Sequence, residues 1–417
     1  MPTAVGVPRE TGAGERRVAT VPAALQSLTR IGLEVVVERG AGEAAGFLDE
    51  AYTAKGARVA DRAEVLRCGI VAAVDAAALA TEPEGPGQGA VLVGFCSPLT
   101  NREAVEGLAR RGVSTLSVEL MPRITRAQSM DALSSQANLA GYKAVLIAAG
   151  MLPKIFPMLT TAAGTVAPAR VLVVGAGVAG LQAIATARRL GAIVEAYDVR
   201  PAVKEQVESL GAKFVELPLE DTAAEDAGGY AKAQDESFYR RQQETMAKVV
   251  AASDVVITTA LVPGRKAPVL ISADMVAGMA PGSVIVDLAA EQGGNVEVTQ
   301  PDKVVTAHNV SVVGAVNLPA TVPQHASQMY AKNVATFLAH LVKDGAITLD
   351  TEDQITRETL VTQRFPRTAR RAFSAFSWTI VPGERRRRRV ATRSDPARVA
   401  SSTARSLLPI NATSQWD

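Results

Sequence analysis

"RVLVVGAGVAGLQAIATARRLGAIVEAYDVR", residues 170–200, decides the fold class. Residues 171–174 are Val-Leu-Val-Val, a short apolar run rich in β-branched side chains, which reads as a buried strand. It runs straight into Gly175, Gly177 and Gly180, spaced G-x-G-x-x-G. Apolar residues then recur at helical spacing through "VAGLQAIATARRLG", and the segment closes on Gly191. A second apolar run, "AIVEAYDVR", ends at Asp198. Strand, glycine turn, helix and strand make a βαβ unit.

Each glycine has a physical reason to stand where it does. Gly175 permits the tight turn, Gly177 lets the backbone approach a pyrophosphate, and Gly180 lets the helix pack close to the strand. The helix N-terminus offers outward N–H groups and a partial positive charge to phosphates. Asp198 lies eighteen residues past Gly180, near the spacing of about twenty expected for an acid on the adenosine ribose. A carboxylate there accepts from the ribose hydroxyls and repels a 2′-phosphate, which favours NAD(H) over NADP(H). Arg200 pulls the other way, because an Arg near that position can hold a 2′-phosphate. It can equally stack near the adenine or stay solvated. A glycine-rich βα turn with no ligand is the plain alternative for the whole motif.

The same alternation extends outward. "VKEQVESLG" and "KFVEL" repeat helix and strand after residue 200, and "ASDVVITTAL", "GSVIVDLA" and "VSVVGAVNLP" supply later strands. Towards the N-terminus, "TAVGVP", "LEVVVERGAG", "GIVAAV" and "AVLVGF" are further strands, interleaved with helix-like "PAALQSLTRIG" and "NREAVEGLARRG". The expected fold is α/β, with two Rossmann-like domains built on parallel sheets. The first spans residues 1–125, completed by a returning amphipathic helix at about 325–363. The second, residues 140–322, carries the nucleotide motif.

Composition agrees with a packed globular chain: 47% apolar and 21% charged residues. No run of about eighteen apolar residues could span a bilayer. The N-terminus has no charged segment followed by an apolar run, so a cytoplasmic location is expected. Cys68 and Cys96 are the only cysteines. They argue against a disulfide framework and read as buried thiols. The net charge of +2 hides an asymmetry. Residues 364–417 hold twelve Arg against Glu384, Asp395 and Asp417, leaving the rest of the chain acidic. Three readings of that basic tail stand side by side: a disordered segment, the product of a shifted reading frame near Gln363, and a nucleic-acid contact. The Arg run has no interleaved aromatics, so no nucleic-acid partner is expected.

A second stretch carries the chemistry. "RITRAQSMDALSSQANLAGY", residues 123–142, lies between the two domains and is dense in hydrogen-bonding groups, with no His, Cys or metal-ligand spacing. Gln128, Asp131 and Ser134 are three apart and would share one face of a helix. A carboxamide, a carboxylate and a hydroxyl can fix a carboxamide-bearing ring and a ribose, but they do not relay protons at neutral pH. Hydride transfer between two nicotinamides needs positioning and no proton. Oxidation of a hydroxy or amino acid needs a His or Lys for the proton. The histidines, His308, His325 and His340, all come late in the chain.

Together, "RITRAQSMDALSSQANLAGYKAV" and "VLVVGAGVAGLQAIATARRLGAIVEAYDVR" resemble the NAD(H)-binding domain I (the first portion of the alpha subunit) of proton-translocating NAD(P) transhydrogenases. "VPRETGAGERRVATVP" and "LAAEQGGNVE" fit the same resemblance, which covers residues 3–363. It implies direct hydride transfer from NADH to NADP+ held by a partner subunit, coupled to proton translocation through a membrane subunit. It also implies a homodimer, peripheral on the inner face of the membrane, active only with its partners and not itself inserted. The cofactor contacts it implies fall on Arg123, Gln128, Ser129, Met130, Asp131, Ser134, Val178, Ala179, Gly180, Asp198, Val199, Arg200, Gly229, Gln242 and Leu261. Gly175 and Gly177 come from the glycine motif itself. Tyr230 matches the tyrosine of a mobile loop, and "EDAGGYAKAQDESFYRRQQ", with paired glycines and little periodicity, reads as a lid or an ordinary solvated loop. No metal is expected. The rival readings are an alanine dehydrogenase-like amino acid dehydrogenase, similar through Arg17 and the "EQGG" turn, and a non-catalytic NAD-binding module. The first lacks its proton-handling groups here: the corresponding strands, "GIVAAVDAAALA" and "AVLVGFCSPLTN", contain neither Lys nor His.

Overall fold

The computed structural model of the chain describes residues 3–216, 236–343, 345–364 and 378–380, with the side chains of 236–242, 364 and 378–380 excepted. Six strands open the chain: β1 (Thr3–Val7), β2 (Leu33–Glu38), β3 (Arg58–Ala60), β4 (Ile70–Asp75), β5 (Val91–Phe95) and β6 (Ser114–Ser117). They are mutually parallel, in the spatial order β3-β2-β1-β4-β5-β6. An exposed hairpin, β7 (Leu159–Thr161) and β8 (Gly164–Val166), precedes the second sheet.

That sheet holds β9 (Arg170–Val174), β10 (Ile193–Tyr197), β11 (Lys213–Phe214), β12 (Val255–Thr258), β13 (Val284–Asp287), β14 (Val304–Ala307) and β15 (Val310–Gly314). Its order is β11-β10-β9-β12-β13-β15-β14, parallel except for the last hairpin. Each sheet therefore runs 3-2-1-4-5-6 through its six parallel strands, the doubly wound order with a switch point between strands 1 and 4. The interiors of the central strands β2, β4, β9, β12 and β13 are buried and mostly Val, Leu, Ile and Ala, as sheets covered on both faces require.

A helix of twenty residues, Ala132–Met151, joins the two halves. Ala132 lies in the core of the first sheet, while Ala144, Val145 and Ala148 lie in the core of the second. A Cβ on Gly141 would stand 2.0 Å from the carbonyl oxygen of Ala179. Only glycine lets the connecting helix meet the nucleotide-motif helix, Val178–Arg189, backbone to backbone.

The chain then returns. In the helix Pro323–Leu341, Tyr330, Val334, Phe337 and Leu338 pack with Val5, Val35, Ile70 and Val93 in the first core. The Tyr330 hydroxyl donates to Ala73 O at 2.7 Å, and its ring stacks on Phe95 with centroids 5.5 Å apart. A small ribbon, β16 (Val342–Lys343) with β17 (Ala346–Ile347), follows. β18 (Leu360–Arg364) adds antiparallel to β6, and β19 (Trp378–Ile380) pairs with β18. Apart from β18 and β19, the basic tail lies outside the described residues.

Candidate functional site

The glycine turn sits where β9 ends, at the switch point of the second sheet. Gly175 has φ +97°, and a Cβ there would stand 2.6 Å from Thr259 Oγ1. A Cβ on Gly180 would fall 1.8 Å from Gly175 O, so turn and helix are in backbone contact. Gly177 differs: a Cβ there would meet nothing within 4 Å. It is open space at the N-cap of a twelve-residue helix, beside the outward N–H groups of the first turn. Val178 at that turn is exposed.

Asp198 closes one side. Its Oδ2 accepts from Ala176 N at 2.7 Å, which ties the end of β10 to the glycine turn. Its two oxygens also accept from Arg200 Nε and Nη2, each at 2.9 Å, and Oδ1 accepts from Arg200 N. The Arg200 fork is thus folded back on Asp198, with Val199 half-buried between them. On the other side, Asp287 at the end of β13 is fully buried and accepts from Thr258 Oγ1, Ala289 N, Asn295 N, Val296 N and Thr299 Oγ1. Asn295 in turn holds both backbone groups of Ala260, at 2.9 and 2.8 Å. This frame fixes the loop that carries Leu261, whose side chain is exposed.

The inter-domain stretch corrects one expectation. Gln128, Asp131 and Ser134 do not share a helical face. Thr125–Met130 is a 3-10 segment, and the α-helix begins only at Ala132. Asp131, with ψ 87°, is the N-cap between them. Its Oδ1 accepts from Ser134 N at 2.9 Å and its Oδ2 from Ser134 Oγ at 2.6 Å. A capping Asp competes for backbone N–H groups and breaks the helix it begins. Gln128 and Ser129 are exposed on the 3-10 segment, Met130 is buried, and Arg123 is exposed just ahead. Arg126 leaves the group: it pairs with Asp353 at 2.6 Å. Burial pushes the Asp353 carboxyl up, but Arg126, the Thr356 N–H and His340 outweigh it and pull it down to about 2.

Behind this surface the two halves are joined by a polar knot. Arg17 is buried and donates to Glu15 Oε1 (2.8 Å) and Oε2 (2.6 Å), to Gln136 Oε1 (2.9 Å) and to Asn317 Oδ1 (3.0 Å). Asn317 takes φ +44° and donates back to Glu15. Gln136 donates to Ala326 O on the returning helix. Burial acts against the charge of Glu15, yet the Arg17 and Asn317 bonds prevail and lower its carboxyl pKa.

The corresponding edge of the first sheet is filled by the chain's own acids. Glu10 accepts from Val74 N at 2.6 Å and Asp75 N at 3.1 Å, at the end of β4. Glu119 accepts from Cys96 N at 2.9 Å and from Ser97 N, just past β5. Glu38 accepts from Arg9 N and pairs with Arg62. Burial raises the Glu10 carboxyl to about 7 against the pull of those two N–H groups, and Glu15 and Asp75 add to the rise. Burial likewise pushes the Cys96 thiol well up, so it is not a nucleophile.

Gly229 and Tyr230, with the remainder of the expected lid up to residue 235, lie outside the described residues, as does the side chain of Gln242. Among the described residues no cluster of His, Cys, Asp or Glu could hold a metal, and no helix is long and apolar enough to cross a membrane.

Two family models match in succession: the alanine dehydrogenase/PNT N-terminal domain over residues 6–140 and the C-terminal domain over residues 144–366. The chain belongs to the alanine dehydrogenase/PNT family. Within it, the chain is 49% identical over 368 residues to the first portion of the NAD(P) transhydrogenase subunit alpha of Rhodospirillum rubrum, covering 86% of this chain and 96% of that protein. It is 44% identical to the same portion of that subunit from Rickettsia prowazekii, over 85% of this chain and 93% of that protein. A solved transhydrogenase from Sinorhizobium meliloti superposes with a TM-score of 0.78 at 45% identity, covering 86% of this chain and 98% of the other. The alanine dehydrogenase of Bacillus subtilis is more distant, at 28% identity over 82% of this chain and 86% of that protein.

For this member of the alanine dehydrogenase/PNT family, the residues fit a dinucleotide. The Gly177 cradle is open, a helix N-terminus faces it, and a carboxylate flanks it. What sequence reasoning missed is the support. Arg17 meets Gln136 and Asn317, and Glu10 meets Val74, across 119, 300 and 64 positions, with no local spacing to betray them.

Proposed function

We propose that this chain is the NAD(H)-carrying subunit of a proton-translocating transhydrogenase. Bound NADH supplies a hydride to NADP+ held on a partner subunit, and a membrane subunit couples the transfer to proton movement. The chain assembles as a homodimer, peripheral on the cytoplasmic face of the membrane, and is active only with its partners.

One observation carries the reading: residues 123–134, between the halves, offer groups that position a ring and contain no His, Lys or Cys to take a proton from a substrate. Gln128, Asp131 and Ser134 present a carboxamide, a carboxylate and a hydroxyl. The buried cation behind them, Arg17, is already spent on Glu15, Gln136 and Asn317, so it is not available to grip a carboxylic acid substrate. β4 ends in Asp75 and Cys96 follows β5, where an amino acid dehydrogenase would need a His or Lys. His340 is tied to Asp353, His308 stands at the β14–β15 turn, and His325 is exposed on the first turn of the returning helix.

The division of labour follows. The Gly177 cradle and the helix N-terminus hold the phosphates, and the Asp198–Arg200 pair flanks the adenosine ribose. Gln128 and its neighbours orient the nicotinamide end, and Tyr230 with Gly229 closes over it. Asp198 also keeps Arg200 folded back, which leaves a 2′-phosphate without a counter-charge and selects NAD(H).

The test is stopped-flow transfer between NADH on this chain and an NADP+-loaded partner subunit, with L-alanine and NAD+ as the control. Transfer to the partner and no turnover of alanine are expected. Alanine oxidation would replace this reading with an amino acid dehydrogenase. NADH binding without transfer would leave a non-catalytic module.

A further inference from the structure

The hydride-transfer surface proposed above is built from two pieces that meet at a break in the backbone. The 3-10 segment Thr125–Met130 carries Gln128 and Ser129, the helix starting at Ala132 carries Ser134, and the break at Asp131 lies between them. The Asp131 carboxylate is turned to the helix side of the break, where it holds the N–H and hydroxyl of Ser134. One side chain from a distant element spans the break. Asn333, on the returning helix Pro323–Leu341, is only 8% exposed. Its Nδ2 donates to Ser129 O at 2.9 Å, and its Oδ1 accepts from Ser135 Oγ at 2.8 Å. One carboxamide thus holds the last part of the 3-10 segment and the first turn of the helix at the same time.

We propose that Asn333 is a positioning residue for hydride transfer, acting by clamping the Gln128–Ser129 segment to the Ser134–Ser135 turn across the Asp131 break. This rests on the reading of Gln128 and Ser134 as the nicotinamide-facing groups. The chemistry singles out Asn. The clamp needs one donor for a carbonyl and one acceptor for a hydroxyl on the same planar group, which a carboxamide has. Asp lacks the donor when ionised, and Ala lacks both. Bulk packing does not account for the residue, since the neighbours Tyr330, Val334 and Phe337 supply the apolar contacts of this helix. A carboxamide held between two polar groups contributes register, and a misplacement of about 1 Å costs on the order of a hundredfold in rate.

The experiment compares wild type, Asn333→Ala, Ser135→Ala and the double variant in the full chain, with three readouts. Single-turnover transfer to an NADP+-loaded partner subunit should fall at least about tenfold in Asn333→Ala, while NADH affinity changes no more than about threefold. Hydrogen exchange of the free protein should rise in residues 125–135 and stay unchanged in β9–β13. The double variant should be hardly slower than Asn333→Ala, because both changes cut the same clamp. Normal transfer in a folded Asn333→Ala protein, or exchange that rises everywhere, overturns the proposal. If Asn333→Ala fails to fold, Ser135→Ala decides: it removes one arm of the clamp from a half-exposed site. It must slow transfer and loosen residues 125–135 at an unchanged melting temperature, or the proposal falls. Wild-type protein that transfers nothing would sink the transhydrogenase reading instead, and the exchange arm would still judge the clamp.

Discussion

The chain builds the same six-stranded parallel order twice and treats its two crevices in opposite ways. At the switch point of the second sheet the strand runs into glycine, and the space at Gly177 is open to the N-terminus of a helix. At the switch point of the first sheet, the N–H groups that end β4 are taken by Glu10, and those just past β5 by Glu119. Both edges offer backbone donors to an anion. In the second sheet Asp198 and Asp287 take some of them, but the helix N-terminus at Gly177 is left open; in the first, Glu10 and Glu119 take those at β4 and β5. A repeated fold therefore does not imply a repeated function; the side chains at the strand ends decide which crevice binds.

The comparison breaks most sharply at Gly177. Gly177→Val has room for its side chain, so the protein should fold and melt as before. It fills the cradle, however, and NADH affinity should drop on the order of a thousandfold, about 4 kcal/mol. Equilibrium titration by fluorescence measures this, and unchanged affinity would mean that the open crevice is not the dinucleotide site. Gln128→Asn, on the surface proposed to orient the nicotinamide, is expected to slow hydride transfer on the order of a hundredfold. NADH affinity should change far less, since the adenosine end is held elsewhere. A normal transfer rate in a folded Gln128→Asn protein removes Gln128 from the catalytic surface.

Two smaller effects sharpen the contrast. NADH should bind at least about tenfold tighter than NADPH, about 1.4 kcal/mol, because Asp198 holds Arg200 away from a 2′-phosphate. Equal titrations for the two nucleotides would remove Asp198 from its role. The first crevice should instead report through stability and pH. Glu10 has its folded pKa raised from 4.5 to about 7, so the stability it confers is complete below about 4.5 and lost as pH rises through 7. Melting curves from pH 4.5 to 8 should show that decline in wild type and a flatter profile in Glu10→Gln, with NADH affinity unchanged. The smallest change is expected from ending the chain after Gln363, which removes the partners of neither crevice. Differential scanning calorimetry should show a melting temperature within a few degrees of wild type.

The open crevice was legible and the filled one was not. Gly175, Gly177, Gly180 and Asp198 follow one another within a single βαβ unit, so their spacing alone points to the turn. Glu10 meets Val74 and Asp75, more than sixty residues away, through backbone groups that have no signature in the sequence. The inter-domain stretch was half legible. Its polar content marked a surface, but periodicity extended one helix through Asp131, where the side chain captures the Ser134 N–H and starts a new helix. Asn333 reads as an ordinary polar residue on an amphipathic helix, because its partners are brought to it only by the return of the chain.

That return has a consequence for biogenesis. Residues 140–322 are contiguous and enclose the second sheet, so this half can close as soon as it leaves the ribosome. The first sheet is made earlier but lacks Tyr330, Val334, Phe337 and Leu338 until the helix Pro323–Leu341 has been synthesised. Domains usually fold in the order of their synthesis. Here the N-terminal half must wait, with some of its apolar face uncovered, for a helix encoded some two hundred residues later. A nascent chain stalled before that helix should expose this face to chaperones, while its nucleotide-motif half is already protease-resistant.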